Sequence, residues 1–506
     1  MAKNKEKIFY KADYFGLFVL NAAGMVLELV ASRLMSPYFG NSNFVWTAII
    51  GIILLAGSLG NIIGGKFASQ KIGRFWAGML LLIAAIYIAG TPLVDAPILD
   101  SIKGTNMGSQ FESILGSVVF FLIPSTILGI ITPIIMKDCI SNSKDKGKES
   151  GRITAIIAIG SLVGTFIGGF WLVPALGTEM IFVVTGITVM LTVPFIRPVQ
   201  GIKSPKYLWS FVVLSILTLI VNIASVIAVN ADNSHSVDES SISIDTEYGR
   251  IIIEDGTYRG DSVRYYKQSG AYSSATFLDE EKKYDLVFNY LKKYDLMFKY
   301  KDIKNVAMIG GAAYQYPKYL IKNFENIKLD VIEIDPESTK IAKQYFFLQD
   351  LIDEYDPEGK RLGLYNEDGR LFLDEAENKY DAVLNDAFSG AIPVGTLATK
   401  EAAKTIKNSL TNKGVYMSNV LGAVSGSKGK FLRAEVKTLK EVFKYVYVVP
   451  VLETAKSSDY VNWMVIATDS SKYVPENALE LDLSDAIVLT DDYNPIDSLI
   501  PSYTDE

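Results

Sequence analysis

The chain changes its solvent partway along. Before about Asn230 it consists of apolar runs near bilayer-spanning length. Beyond that point short apolar runs alternate with polar ones, as in a water-soluble α/β domain. A multi-span membrane bundle joined to a soluble α/β domain is a narrow class. The pairing therefore limits function more than either half alone.

Seven stretches approach the length a bilayer requires: Tyr14–Met35, Phe44–Gly65, Phe75–Val94, Ile114–Met136, Ile153–Leu176, Met180–Ile196 and Leu208–Val229. The first is too long for a cleaved leader and lacks a small-residue cleavage site, so it reads as a retained span. Lysine and arginine concentrate before the first stretch and in the second, fourth and sixth loops, for example at Lys66, Lys71 and Arg74. The positive-inside rule then puts the N-terminus in the cytoplasm, and seven spans put everything after Val229 outside. Nucleotide-type cofactors are made inside cells, so an outward domain sits uneasily with a nucleotide-binding reading, and one miscounted span reverses it. Gly60, Gly64 and Gly65, and likewise Gly160, Gly164 and Gly168, stand at helix-packing spacing. Glu28 is a carboxylate inside the first stretch. It lies five residues from Arg33, off the helical face spacing, so it pairs elsewhere or lines a polar cavity.

Composition closes several functional classes. A net charge of −7 argues against nucleic acid, which demands clustered cations. One cysteine, Cys139, excludes an intramolecular disulfide and a cysteine-based zinc cluster. One histidine, His235, falls in a polar stretch, Asp232–Ser243, that reads as a linker. Histidine-rich metal catalysis and Ser-His-Asp chemistry are thereby disfavoured, and no metal is expected.

The soluble half opens with alternating segments, Ser243–Asp245, Arg250–Glu254 and Ser262–Lys267, which predict a small antiparallel sheet. A helical run is expected over Glu280–Phe298. Then strands and helices alternate: strands at Val306–Ile309, Lys328–Ile334, Arg361–Tyr365, Ala382–Leu384, Val415–Val420 and Tyr445–Val449, with helices at Pro317–Phe324, Ser338–Phe346 and Ala402–Leu410. This pattern predicts a mostly parallel sheet with helices on both faces, and ligands beyond the carboxyl ends of its strands. The chemistry falls there. Gly310 and Gly311 follow the first strand and let a ligand approach the backbone. Glu333 ends the second, where a carboxylate can hold ribose hydroxyls. Asp368 follows the third and can reach an adenine amine. Asp386 ends the fourth, near the reactive end of a cofactor.

These residues resemble the spermidine synthase family of aminopropyltransferases, and the whole chain is similar to membrane-fused spermidine synthase-like proteins. The likeness rests on Leu27-Glu28-Leu29-Val30-Ala31-Ser32-Arg33-Leu34 with Pro37-Tyr38-Phe39-Gly40 and Val45-Trp46-Thr47. It rests also on Gly311 to Pro317, on Asp386-Ala387-Phe388-Ser389-Gly390 with Ile392-Pro393, and on Leu489 to Pro495. The resemblance implies three parts: a seven-helix transmembrane domain at 1–230, a linker with a small sheet and helix at 231–300, and a Rossmann-like domain of the S-adenosylmethionine-dependent methyltransferase type at 301–506. It implies S-adenosylmethionine or its decarboxylated form as co-substrate, with Glu333 on ribose, Asp368 on adenine and Asp386 taking the proton from an attacking amine. The family's glycine-loop Asp is replaced within Ala312–Tyr314. Its second Asp after the catalytic one is Ser389. Its Tyr-His-Glu element falls at Tyr284-Asp285-Leu286, and its early Gln at Ser273.

The expected function is thus a membrane-anchored transferase moving an aminopropyl group to an amine, as in polyamine biosynthesis. The missing acids leave two alternatives open: a methyltransferase-like enzyme on a membrane or surface substrate, and a non-catalytic metabolite-binding sensor or transporter. The expected partners are a small amine or membrane-derived acceptor and membrane lipid, and the resemblance implies a possible homodimer.

Overall fold

The computed structural model describes residues 2–39, 43–70, 73–105, 107–196, 198, 204–235, 241–246, 248–268, 270–389 and 392–501. The chain divides into two compact units, Met1–Val237 and Asp238–Glu506.

The first unit holds seven helices long and apolar enough to cross a membrane: α1 (Lys11–Phe39), α2 (Asn43–Phe67), α3 (Gly73–Leu93), α4 (Gln110–Ser141), α5 (Lys146–Leu172), α6 (Thr178–Ile196) and α7 (Pro205–Asn230). Helices within a bilayer gain little from the hydrophobic effect on associating, and close backbone packing takes its place. Gly60 and Gly64 of α2 lie against the carbonyls of Thr126 and Ile130 on α4, and Gly160 and Gly164 of α5 against those of Phe18 and Ala22 on α1. Gly65 has nothing against it and takes no part in this packing. An ion cluster adds to the glycine contacts: Arg74 of α3 bonds the buried Asp13 of α1 at 2.8 Å and the partly exposed Asp138 of α4 at 2.6 Å. The final helix continues through His235, so the polar run expected as linker is partly helical. A helix already nucleated by an apolar stretch extends at little cost into polar residues.

The second unit begins with a four-stranded antiparallel sheet, β1 (Ser241–Thr246), β2 (Gly249–Tyr258), β3 (Asp261–Gln268) and β4 (Ala271–Phe277), in that order. The helix expected over Glu280–Phe298 is mostly absent. Residues 279–288 are turns, and helical structure is confined to a 3₁₀ segment, Asn289–Leu296, and one further turn, Met297–Tyr300. Tyr284, Val287, Leu291 and Tyr294 are buried at helix-like spacing, yet the first two lie in the turn region and the last two in the 3₁₀ segment.

The main sheet runs through β5 (Asn305–Ile309), helix α8 (Gln315–Asn323), β6 (Lys328–Ile332), α9 (Pro336–Tyr345), α10 (Leu348–Tyr355), β7 (Leu362–Tyr365), α11 (Gly369–Asp374), β8 (Tyr380–Asn385), α12 (Lys400–Ser409), β9 (Leu410–Gly422), α13 (Lys430–Lys440), β10 (Tyr445–Pro450) and β11 (Val461–Thr468). Its seven strands lie in the order β10-β11-β9-β8-β5-β6-β7. Only β11 runs against its neighbours. Val306 and Met308 of β5 enter one core cluster, Ala307 and Ile309 the other. Both faces of the strand are therefore covered, which is why it reads as an unbroken apolar run. The chain leaves β5 toward β6 on one side and later returns to β8 on the other. That reversal of direction opens a crevice at the carboxyl ends of β5 and β8. The small sheet closes over this region: Ile251, Ile253 and Tyr266 pack with Ala313, Ile341 and Phe346.

Candidate functional site

The crevice starts at Gly310. Its φ is +91°, and a Cβ there would stand 2.6 Å from the carbonyl oxygen of Asp386. Only glycine meets both demands. The Asp386 amide donates to the Ile309 carbonyl at 2.9 Å, tying the ends of β5 and β8 together. Gly369, at the start of α11, packs on Ile309 so closely that a Cβ would meet its Cγ2 at 2.5 Å. Asp368 thus lies at the same sheet edge as Gly310 and Asp386.

The loop after Gly310 is unusual. Ala312 and Tyr314 both take positive φ, +45° and +54°, without being glycine. Such backbone costs on the order of 1–3 kcal/mol per residue unless its surroundings impose it. Here they do. The Tyr314 ring is buried beneath Gly311, and its hydroxyl meets Thr339 Oγ1 at 2.8 Å. Ala313 is buried in the apolar cluster under the small sheet.

Glu333 holds this loop to the end of β6. Its Oε2 accepts from the amides of Gly311 (2.8 Å) and Ala312 (3.0 Å), and its Oε1 from Asp335 (3.0 Å). Burial pushes its carboxyl above the usual range, against the pull of those three amides. A carboxylate offers about four acceptor directions, so roughly one is left for a ligand hydroxyl. Asp368 also has structural work: its Oδ1 accepts from the Arg370 and Leu371 amides at 2.9 and 3.0 Å and caps α11.

Asp386 differs from both. Its Oδ2 accepts from the Tyr290 hydroxyl and its Oδ1 from Asn419 Nδ2, each at 2.9 Å. Burial pushes its carboxyl up to about 6, while Asn419 and Tyr290 pull the other way. The Tyr294 hydroxyl fixes the adjoining Asn385 carbonyl at 2.8 Å. A carboxylate held by neutral donors, without a cation, can accept a proton near neutral pH.

Tyr290 and Asn419, which set the Asp386 carboxylate, and Tyr294, which holds the adjoining carbonyl, are candidate site residues that sequence reasoning does not reach. Tyr290 and Tyr294 are four apart in a segment read as an ordinary helix, and nothing in the pattern distinguishes their hydroxyls from core aromatic rings. Tyr284, placed by resemblance in this role, instead packs edge-on against Tyr355 at 5.8 Å, while Asp285 pairs with Lys322 at 3.3 Å. Ser273 makes a hydrogen bond within β4, to the Ala271 carbonyl at 3.4 Å. Phe388 and Ser389 pair with Ile392 and Pro393 in a short ladder, and the Ser389 side chain lies outside the described residues. The late motif at Leu489–Pro495 is a clip: Asp491 takes Arg370 at 2.6 Å and the Thr399 hydroxyl at 2.7 Å, and Asn494 bonds the Gly395 carbonyl at 2.8 Å.

A seven-stranded sheet with one reversed strand, and acids around the ends of its central strands, defines a Rossmann-like domain of the methyltransferase type. Residues 295–478 match the spermine/spermidine synthase domain. A polyamine aminopropyltransferase of Leptospira interrogans is 22% identical over 387 residues, 74% of this chain and 72% of that protein. This match is longer than the second unit, so it extends into the helical one. The polyamine aminopropyltransferase of Alkaliphilus metalliredigens is 32% identical over 149 residues, 29% of this chain and 50% of its own length. Among solved structures, a probable spermidine synthase from Corynebacterium glutamicum aligns over 50% of this chain and 98% of its own, at 18% identity and a TM-score of 0.42. The soluble half is spermidine synthase-like.

Proposed function

We propose that the protein is a membrane-anchored aminopropyltransferase that uses decarboxylated S-adenosylmethionine. The observation that carries this reading is Asp386: a half-buried carboxylate at the crevice, with no cation on it among the described residues and its oxygens set by Tyr290 and Asn419. The surrounding residues suit an adenosine-bearing co-substrate. Gly310 and Gly311 leave bare backbone where a Cβ would collide, Glu333 keeps an acceptor direction for a ribose hydroxyl, and Asp368 keeps Oδ2 for an adenine amine. The co-substrate supplies a sulfonium-activated propyl carbon: the acceptor nitrogen bonds to that carbon, the carbon–sulfur bond breaks, and its electron pair leaves with methylthioadenosine. Asp386 takes the proton that the acceptor nitrogen sheds. The half-buried phenol of Tyr290 orients that carboxylate. Ala313, in its apolar cluster, provides no acid for a second ammonium, which favours an acceptor of lower charge than a diamine. The same feature keeps methyl transfer from S-adenosylmethionine as a second reading. We also propose anchoring by the seven apolar helices and pairing of two copies through the soluble half.

The test uses the purified full chain with decarboxylated S-adenosylmethionine and a panel of mono-, di- and triamines, followed by mass spectrometry. Methylthioadenosine should appear in equal amount to an aminopropylated amine. S-adenosylhomocysteine formed from S-adenosylmethionine instead would establish methyl transfer. Binding of either nucleoside by calorimetry, with no product at all, would leave a sensor. Reporter fusions after Tyr503 would give the side of the membrane on which the reaction runs.

A further inference from the structure

The helical unit contains a cavity of about 440 Å³ that the chemistry above does not use. Lys11, Tyr14, Asn142, Ser143, Glu149 and Arg152 line it. Two spans terminate around it, α4 at Ser141 and α5 at Lys146, and Lys11 stands on α1 just ahead of that helix's apolar run. It therefore sits at the level where hydrocarbon gives way to headgroups.

Its acids are already committed. Glu149 accepts from the Tyr14 hydroxyl. Asp13, which contacts the cavity residue Cys139 at 3.9 Å, pairs with Arg74, a cation it shares with Asp138. Its cations, Lys11 and Arg152, form no ion pair among the described residues, although Arg152 shares a hydrogen bond with Tyr14. Arg152 also lies over the Tyr14 ring at 5.7 Å. Lys144, Lys146 and Lys148 stand in and beside the connecting loop. Ser143 donates its hydroxyl to the Asp145 carbonyl at 3.2 Å, and Asn142 gives one amide hydrogen to the Asp138 carbonyl at 2.9 Å. The donors left for a tetrahedral oxyanion are the two cations, without ion pairs among the described residues, and the second hydrogen of Asn142. Basic pockets between spans, at headgroup level, hold anionic lipid in this way.

We propose that this cavity binds a phosphate-bearing anion, delivered by the headgroup of an anionic phospholipid. The inference rests on the membrane reading of the first unit and is independent of the transferase chemistry. Native mass spectrometry of the full chain in mixed micelles tests it, with phosphatidylglycerol against phosphatidylcholine as probes. Phosphatidylglycerol should be retained preferentially. Arg152→Gln and Lys11→Gln should each weaken that retention by about fivefold, the value of one interfacial cation. Arg152→Lys should keep most of it, which guards against misfolding as the cause. Lys66→Gln, at the end of α2 and outside the cavity, should change nothing. Equal retention of both lipids, or no loss in the Arg152→Gln/Lys11→Gln pair, would overturn the proposal. Displacement of the lipid by millimolar inorganic phosphate would assign the cavity to a soluble anion and overturn the lipid source. Release of the protein from membranes by alkaline carbonate would mark a failure of the membrane reading itself.

Discussion

The two ends of strand β8 carry the same side chain in opposite settings. Asp381, at the amino end, pairs with Lys301 at 2.8 Å and accepts from the Lys304 and Asn305 amides at 3.0 and 3.1 Å and from Thr411 at 2.9 Å. Burial pushes its carboxyl up, but Lys301, the two amides and Thr411 outweigh that, and it ends below the usual carboxylate range. Asp386, just past the carboxyl end, has no cation on it among the described residues, and burial pushes its carboxyl up to about 6. A paired carboxylate is locked in its charged form and serves the fold. One held only by a phenol and an amide stays close to exchanging its proton and serves chemistry.

Removing the charge at the carboxyl end should have the largest effect. Asp386→Asn is expected to lower kcat by about 10²–10⁴, the usual contribution of a positioned general base. Its melting temperature at pH 8 should not fall, because ionised Asp386 opposes folding there: a raised native value means stability declines as pH climbs from the unfolded value of about 3.9 through about 6. In the parent protein kcat should fall as pH drops through about 6, as the base becomes protonated. A variant with full activity, or a flat profile between pH 5 and 8, would erase the contrast between the two ends.

Glu333 lies between these extremes, tied to three loop amides yet beside the crevice. Glu333→Ala should weaken co-substrate binding by roughly 1–3 kcal/mol in isothermal titration, the range for losing hydrogen bonds to a charged acceptor. Unchanged affinity would show that the residue only braces the loop.

Much of this was legible beforehand, for a definite reason. Val306–Ile309 and Ala382–Leu384 are buried on both faces and so read as strands, and Gly310, Glu333 and Asp386 follow strand ends, where topology gathers ligands. The illegible parts depend on contacts distant in sequence. β4 was missed because its buried Ser274 and Thr276 look polar. β11 and α13 were missed in a stretch without alternating punctuation. Tyr290 reaches Asp386 across 96 positions, Asn419 across 33. Only the folded chain shows that those two, rather than any other tyrosine or asparagine, face the carboxylate.

At the amino end, Asp381→Asn should cost roughly 1–2 kcal/mol in denaturant unfolding, a charged hydrogen-bond set discounted for partial exposure. Its native value is depressed, so its contribution is present above the unfolded value of about 3.9 and disappears as pH falls through the native one. The stability difference between parent and variant should therefore shrink in acid. Well below the melting temperature kcat should be unchanged; a large loss would make Asp381 part of the chemistry.

The smallest expected effect is also the most discriminating. Tyr290 donates one of the two hydrogen bonds that keep Asp386 ionised. Tyr290→Phe removes that donor while leaving the ring, whose stacked partner is Phe288 at 6.4 Å. The carboxylate loses stabilisation, so its proton should bind more tightly and the acid limb of kcat should move to higher pH. At pH 8 and above the variant should approach the parent rate, because the base is ionised in both. A purely structural tyrosine would instead lower kcat equally at every pH. A shift of the limb to lower pH would show that the phenol stabilises the neutral acid, and that the carboxylate at the end of β8 donates a proton instead of taking one.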